Sequence, residues 1–406
     1  MFRFRWLVLL MMVMTGIVIV PSAAACGGLF CQNSPVNQNA ERIIFTMNDD
    51  DTVSAYVQIN YTGSAMDFSW VVPVPSVPEV DVAEIASFDE LSNLTAPIFI
   101  PPLQPQCLFE QRELRADSAD EVVMESAPLD DVQVLATGTA GPYAFDVVTS
   151  ENSDALIIWL RTNNYVITEQ MEPLIRVYTD EGMNFLAMKL QPEQGAQDIQ
   201  PVKMTYTADS PTIPLRLTAV AANPNMSIFT WVFADAPVAP ANYELITIDD
   251  ADIRGDFFQP GGTNYQPLVD AAVDRFEGRA FITEYAQTTT DFLTTMRPSD
   301  PLVVELVREY DYVTRFFGRM SPEEMTLDPT FVIDAEMQPV SNVHDLSSAD
   351  PEVFWGCSDS SGFDPSGIDT AQAVPLFLSV GLIGLGITLR RGRRRQQSDV
   401  FNDIVA

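Results

Sequence analysis

The residues able to do chemistry in this chain are few, and their scarcity is informative. A single histidine, His344, serves all 406 residues. Histidine is the commonest general base near neutral pH and the commonest transition-metal ligand. A Ser–His–Asp triad would therefore have to recruit this one residue. It lies in Ser341-Asn342-Val343-His344-Asp345, a polar run that predicts a solvated loop. Four cysteines, Cys26, Cys31, Cys107 and Cys357, follow the leader. An even count in an oxidising compartment reads as two disulfides with three possible connectivities. The favoured pairing is Cys26 with Cys31 as a local clip and Cys107 with Cys357 as a long staple. Two rivals stand: lipidation of Cys26, which would break that pairing, and zinc ligation, for which the paired C-x-x-C spacing is missing. Oxidised thiols leave no cysteine nucleophile.

What remains is oxygen chemistry, either paired carboxylates as in glycosidases or calcium held by oxygen ligands. Asp and Glu number 56 against 22 Lys and Arg, a formal charge of −34. Chance carboxylate pairs are therefore certain, and a pair alone proves nothing. Asp49-Asp50-Asp51 reads as an acidic hairpin turn that calcium would also suit. The run from Asp249 to Gly255 begins like a calcium loop, but Gly261 stands where the bidentate Glu should be. No catalytic residue, cofactor-binding residue or metal ligand is assigned, and calcium is the one cofactor left open. A body this acidic repels phosphate backbones, which excludes nucleic acid as a partner. The sequence contains no phosphate-binding loop and no repeat of 20–50 residues.

The ends decide where such a body would sit. Arg3 and Arg5, the apolar run Trp6–Val20 and Ala23-Ala24-Ala25 form a secretory signal, residues 1–25, with cleavage before Cys26. Near the other end, 373–389 is apolar and uncharged, and Arg390, Arg391, Arg393, Arg394 and Arg395 follow at once. Positive charge is retained on the cytoplasmic side. The sequence thus predicts an extracytoplasmic domain at 26–357, a Ser/Gly/Asp/Pro linker at 358–372, a transmembrane helix at 373–389 and a cytoplasmic basic tail at 390–406.

Within the domain, the residue pattern predicts strands at Glu41–Phe45, Thr52–Tyr61, Phe68–Pro75 (its prolines barring a central position beyond Val72), Val132–Ala136, Tyr143–Thr149, Asn184–Leu190, Val202–Thr207, Ile213–Ala221, Ile228–Ala234 and Thr330–Asp334. Apolar spacing predicts helices at Val82–Leu94, Asp154–Thr162, Glu169–Tyr178, Leu268–Phe276, Ala280–Tyr285 and Leu302–Phe317. Residues 109–130 are rich in charge and poor in large apolars, and read as a mobile insertion. The fold class is α+β: a mixed, largely antiparallel sheet with helices packed on one side.

Four islands carry a family resemblance. They are Cys26-Gly27-Gly28 through Phe45; Phe68-Ser69-Trp70-Val71-Val72-Pro73-Val74-Pro75; Ile213-Pro214-Leu215-Arg216-Leu217-Thr218-Ala219; and Thr314-Arg315 through Met325-Thr326-Leu327-Asp328-Pro329-Thr330-Phe331. With them the chain resembles the bacterial family known as domain of unknown function 2330. The resemblance implies an exported, often membrane-tethered protein and no catalytic residues. Three roles stay open. The first is a non-catalytic binding or scaffolding module of the cell envelope. The second is an extracytoplasmic hydrolase dependent on carboxylates or calcium, and the third an accessory subunit of an envelope complex. The partners expected are the membrane, through the C-terminal helix, and an envelope protein.

Overall fold

The strand nearest the N-terminus among the described residues is buried on both faces. It sends Ile43 and Phe45 to one side and Ile44 to the other, and all three lie in the core. Two-sided burial needs two covering layers, and the rest of the chain supplies them. The computed structural model describes residues 37–62, 68–104, 132–192, 194 and 198–356. The signal 1–25, the four cysteines, the insertion 109–130, the linker 358–372, the apolar run 373–389 and the tail 390–406 lie outside the described residues.

In chain order the strands are β1 (Asn37–Met47), β2 (Thr52–Thr62), β3 (Ser69–Val74), β4 (Glu79–Val82), β5 (Ile98–Ile100), β6 (Gln133–Ala140), β7 (Tyr143–Thr149), β8 (Asn184–Leu190), β9 (Val202–Thr207), β10 (Ala222–Ala234), β11 (Val238–Pro240), β12 (Glu244–Ile246), β13 (Ala280–Thr288), β14 (Tyr312–Met320), β15 (Phe331–Ile333) and β16 (Val343–Asp345). The helices are α1 (Ile85–Thr95), α2 (Ser153–Thr162), α3 (Glu172–Asp180), α4 (Leu215–Thr218), α5 (Tyr265–Asp274), α6 (Thr289–Thr295), α7 (Pro301–Glu309) and α8 (Pro351–Trp355).

Eight strands form one sheet in the order β12-β13-β14-β10-β1-β2-β9-β4, and four form a second in the order β3-β8-β7-β6. Every described pairing is antiparallel except β1–β10, β12–β13 and β5–β16. Ile43, Phe45, Val53 and Val232 of the large sheet pack against Trp70, Val72, Tyr143 and Leu186 of the small one. The outer face of the small sheet is sealed by Leu156 and Leu160 of α2 and Ile175 and Tyr178 of α3. On the outer face of the large sheet, Ile44, Tyr56, Trp231, Phe233 and Val313 meet Phe88 and Leu91 of α1, Phe292 of α6 and Val303, Leu306 and Val307 of α7. Arg315 and Arg319 share a face of β14 by their even spacing. Arg315 reaches α1 and Arg319 reaches Asp270 of α5, which places α5 on that side too.

The body is α+β and largely antiparallel, with one correction: helices cover the outer faces of both sheets, because each sheet has an apolar outer face to bury. Three further expectations change. Ala280–Tyr285 and the second half of Leu302–Phe317 are strands, β13 and β14. Both are buried on two sides, so apolar residues fill consecutive positions and the period of two is lost. Asp300 caps α7 through the amides of Leu302 and Val303, and the helix ends at Glu309, which splits the Leu302–Phe317 run in two. Ile213–Ala221 forms the single turn α4, and the Asp328 carboxylate accepts from the Arg216 amide at 3.0 Å. Pro73 sits within β3. That is tolerable because β3 is an edge strand.

Candidate functional site

Where the helix layer stops at the C-terminus of α7, the face of the large sheet is uncovered and its residues turn polar. Register places Thr46 opposite Ser54, Ser54 opposite Thr205, and Thr205 opposite Glu79. Directly opposed residues share a face, so one polar row crosses β1, β2, β9 and β4. Ser54 Oγ and Thr205 Oγ1 lie 2.9 Å apart. Asn48 ties this floor to its wall. Its Nδ2 donates to Thr52 Oγ1 at 2.8 Å and Ser54 Oγ at 3.3 Å. Its Oδ1 accepts from Thr46 Oγ1 and from the Tyr310 hydroxyl, each at 2.7 Å. Tyr310 closes α7, so the same residue ends the helix and fixes the groove.

The groove has a volume of about 490 Å³ and is lined by Asp49, Asp50, Glu79, Asp235, Glu305 and Glu309, with Lys203 the one cation among the described lining residues. Lys203 leans over the Tyr56 ring at 5.2 Å. The carboxylates are arranged against their own interest. Glu305 and Glu309 stand four apart on α7, where like charges repel. Glu309 is also the last residue of that helix, where the macrodipole disfavours an anion. Asp235 and Asp49 both line the groove. Desolvation, then the charges of Asp49 and Asp311, hold the Asp235 carboxyl above the usual aspartate range. Like charges gathered around a cleft are relieved by a bound cation.

A second polar cluster on the same sheet face is sealed. Glu284 sits where the β13–β14 register slips between Thr283 and Tyr285. The bulge turns its carboxylate onto Arg315, with Arg315 Nε 2.7 Å from Glu284 Oε2 and both side chains under 5% exposed. Arg315 Nη1 donates to Ser92 O at 3.2 Å and Thr95 Oγ1 at 3.1 Å. Its guanidinium lies 5.3 Å from the ring centres of both Phe229 and Trp231. Trp231 Nε1 donates to Thr95 Oγ1 at 2.9 Å. Burial raises the Glu284 carboxyl above the ordinary glutamate range, while Arg315 and the Tyr265 hydroxyl pull it back down. Charge in this cluster is met from within.

His344 borders that cluster. The structure places it on β16, its ring stacked on Phe99 at 5.2 Å and its side chain 17% exposed, which replaces the expected solvated loop. The physical reason is the parallel pairing of β16 with β5, which sets His344 beside Phe99. His344 Nδ1 lies 2.6 Å from Asp250 Oδ1. Asp250, a residue of the calcium-like run, thus faces the histidine, and Asp249 accepts from the Ala251 amide. Asp49 and Asp50 of the acidic turn stand at the groove, a placement the turn alone did not reveal. Among the described residues no three His, Cys, Asp or Glu side chains converge as a metal site requires. Sequence reasoning missed Asn48, Lys203, Asp235, Glu305 and Glu309. The signal available was the like-charged pair at the end of a helix.

The islands of the resemblance meet in the core. Arg216 Nη1 and Nη2 each donate to Glu181 at 2.7 Å, and Nη2 donates to Asp328 Oδ2 at 2.7 Å. Tyr178 donates to Asp328 Oδ1 at 3.0 Å, and Phe45 meets Phe331 with ring centres 6.2 Å apart. Among the described residues no helix is long and apolar enough to cross a membrane. No curated protein and no solved structure matches the chain. Residues 20–332 match a family described as an uncharacterized protein conserved in bacteria, DUF2330, and the chain belongs to that family.

Proposed function

We propose that this protein is a membrane-anchored extracytoplasmic binding module whose groove takes a basic segment of another envelope protein. The observation that carries the reading is the excess of negative charge in the groove, six carboxylates with Lys203 the one cation among the described lining residues. The apolar run 373–389 and the arginines after it support the anchor, with the C-terminus cytoplasmic. A binding role fits a cleft whose floor hydroxyls are already hydrogen-bonded to one another, which leaves the rim carboxylates to meet the partner. The carboxylate-hydrolase reading is weaker. With six carboxylates around one cleft, neighbouring pairs are unavoidable, and a pair alone does not make an acid–base site. The test is calorimetric titration of the detergent-solubilised full chain with a lysine-rich peptide and a glutamate-rich control. Saturable binding of the basic peptide alone is expected, and equal or absent binding of the two would overturn the reading.

A further inference from the structure

The two main sheets end in four edge strands, β12 and β4 on the large sheet and β3 and β6 on the small one. A bare edge is a row of unpaired amides and carbonyls that recruits other strands, and folded chains blunt it by shortness, charge, proline, bulges or burial. β12 has three residues. β4 has four, two of them Glu79 and Asp81, and the Asp81 carboxylate accepts from the Val82 amide at 2.9 Å. β3 carries Pro73 and is buried along its length. β6 runs for eight residues without a charge or a proline, and only Ala140 in it is buried. Its register shift at Leu135 leaves 136–140 regular.

The two-residue loop 141–142 makes Ala140 and Tyr143 the closing hydrogen-bonded pair of the β6–β7 hairpin. Bonded and non-bonded pairs alternate from there, so Gly138 bonds Phe145 while Thr137 and Thr139 turn their amides and carbonyls away from β7. No described strand or loop backbone meets those groups. Ala136, Gly138 and Ala140 share the other face by their even spacing. There a Cβ on Gly138 would come within 2.7 Å of the Phe145 ring, which packs against the core. Thr137 and Thr139 stay on the exposed face, where the Thr137 hydroxyl donates to Asp146 Oδ1 at 2.7 Å.

Charge and symmetry select the strand that suits this edge. The chain carries a formal charge of −34, so copies of it repel over most of their surface, and an uncharged strand is where they can meet. A basic segment gains nothing from β6 itself. An antiparallel pair of β6 strands about a two-fold axis at Gly138 sets Thr137 of each copy opposite Thr139 of the other. Every outward amide and carbonyl of those residues then finds a partner, and like charge is nowhere opposed to itself. Asp146 and its counterpart, one strand in on each side, stand three strand spacings apart, about 14 Å, beyond the screening length at physiological salt. We propose that two copies of this chain pair through β6, joining their four-stranded sheets into one. The pairing is independent of the groove and of the anchor.

Sedimentation of the full chain in detergent, over a wide range of concentration, gives the test with two double variants. Thr137→Lys/Thr139→Lys sets lysine opposite lysine across the axis, and Thr137→Lys/Thr139→Glu sets lysine opposite glutamate. Net charge alone predicts the reverse order, because the first variant makes the chain less anionic and the second leaves its charge unchanged. The expected result is a reversible dimer whose dissociation constant rises about tenfold in the first variant and returns to within about threefold in the second. Thr139→Pro removes one outward amide and no bond to β7, and should weaken the dimer likewise should the lysine variant not fold. A monomer at every concentration would overturn the inference and leave the edge to a strand of another protein. A dimer indifferent to the lysine variant, as one held through 373–389 would be, would overturn it too. So would a lysine–glutamate variant as weak as the lysine–lysine one.

Discussion

Two polar clusters share one face of the eight-stranded sheet, and they differ in whether their charge is met. At Glu284 and Arg315, the carboxylate and guanidinium lie 2.7 Å apart under α1 and α5. The guanidinium's remaining contacts are Thr95, Ser92 and two aromatic rings. At the groove, Glu305 and Glu309 repel each other at a helix end, and the charge of Asp49 helps hold the Asp235 carboxyl above its usual range. In the first arrangement the two charges meet each other. The second is locally frustrated, and such conflicts in a folded chain concentrate at functional sites. Burial alone would have pointed to the wrong cluster, because the buried pair has the more unusual environment and the exposed one has the unmet need.

The largest effect should come from breaking the sealed pair. Arg315→Met leaves Glu284 buried and unpaired and should reduce stability by about 3–5 kcal/mol, measured by denaturant unfolding. Adding Glu284→Leu to that variant should restore most of the loss, since replacing both charges of a buried pair is often near neutral. Recovery would show that the cluster supports the fold. A double variant as unstable as the single one would show that the ion pair itself is needed.

The groove should respond in the opposite way. Glu305→Gln with Glu309→Gln removes repulsion and an unfavourable helix-end charge, so stability should hold or rise by about 0.3–1 kcal/mol. Affinity for a lysine-rich peptide should fall about tenfold, on the order of 1.4 kcal/mol. A loss of stability with affinity unchanged would reverse the roles assigned to the two clusters.

The legibility of the sequence divides along the same line. β9 was readable because apolar and polar positions alternate in it strongly enough to show a period of two. β13 and β14, covered on both sides, look helical because buried residues fill consecutive positions, Ala280–Ala286 in one and Tyr312–Gly318 in the other, and no period of two survives. The groove is invisible locally. Its floor comes from Thr46, Ser54, Thr205 and Glu79 on four strands, and its walls from Asp235 and Glu305, residues that only strand register brings together. Asp49-Asp50-Asp51 was readable as a turn, and Asp51 adopts a φ of 59° there, but its groove-facing role depends on α7.

The smallest effect expected is a pH dependence at Asp235. Its carboxyl binds a proton more tightly in the folded chain than in the unfolded one. The stability it contributes is therefore full below the ordinary aspartate range and lost as pH rises through the raised folded value. A cationic ligand favours the ionised form, so ligand affinity should increase over that same window. Asp235→Asn should flatten both trends, as followed by unfolding and by peptide titration between mildly acidic and neutral pH.

The most direct test of the central claim is the salt dependence of basic-peptide binding to the full chain, compared with the Glu305→Gln/Glu309→Gln variant. Binding through the groove predicts that affinity falls with ionic strength and that the double variant both weakens binding and makes the fall shallower. Identical affinity and identical salt dependence in the two proteins would contradict the account, because the peptide would then be held by the diffuse acidity of the surface and not by the groove.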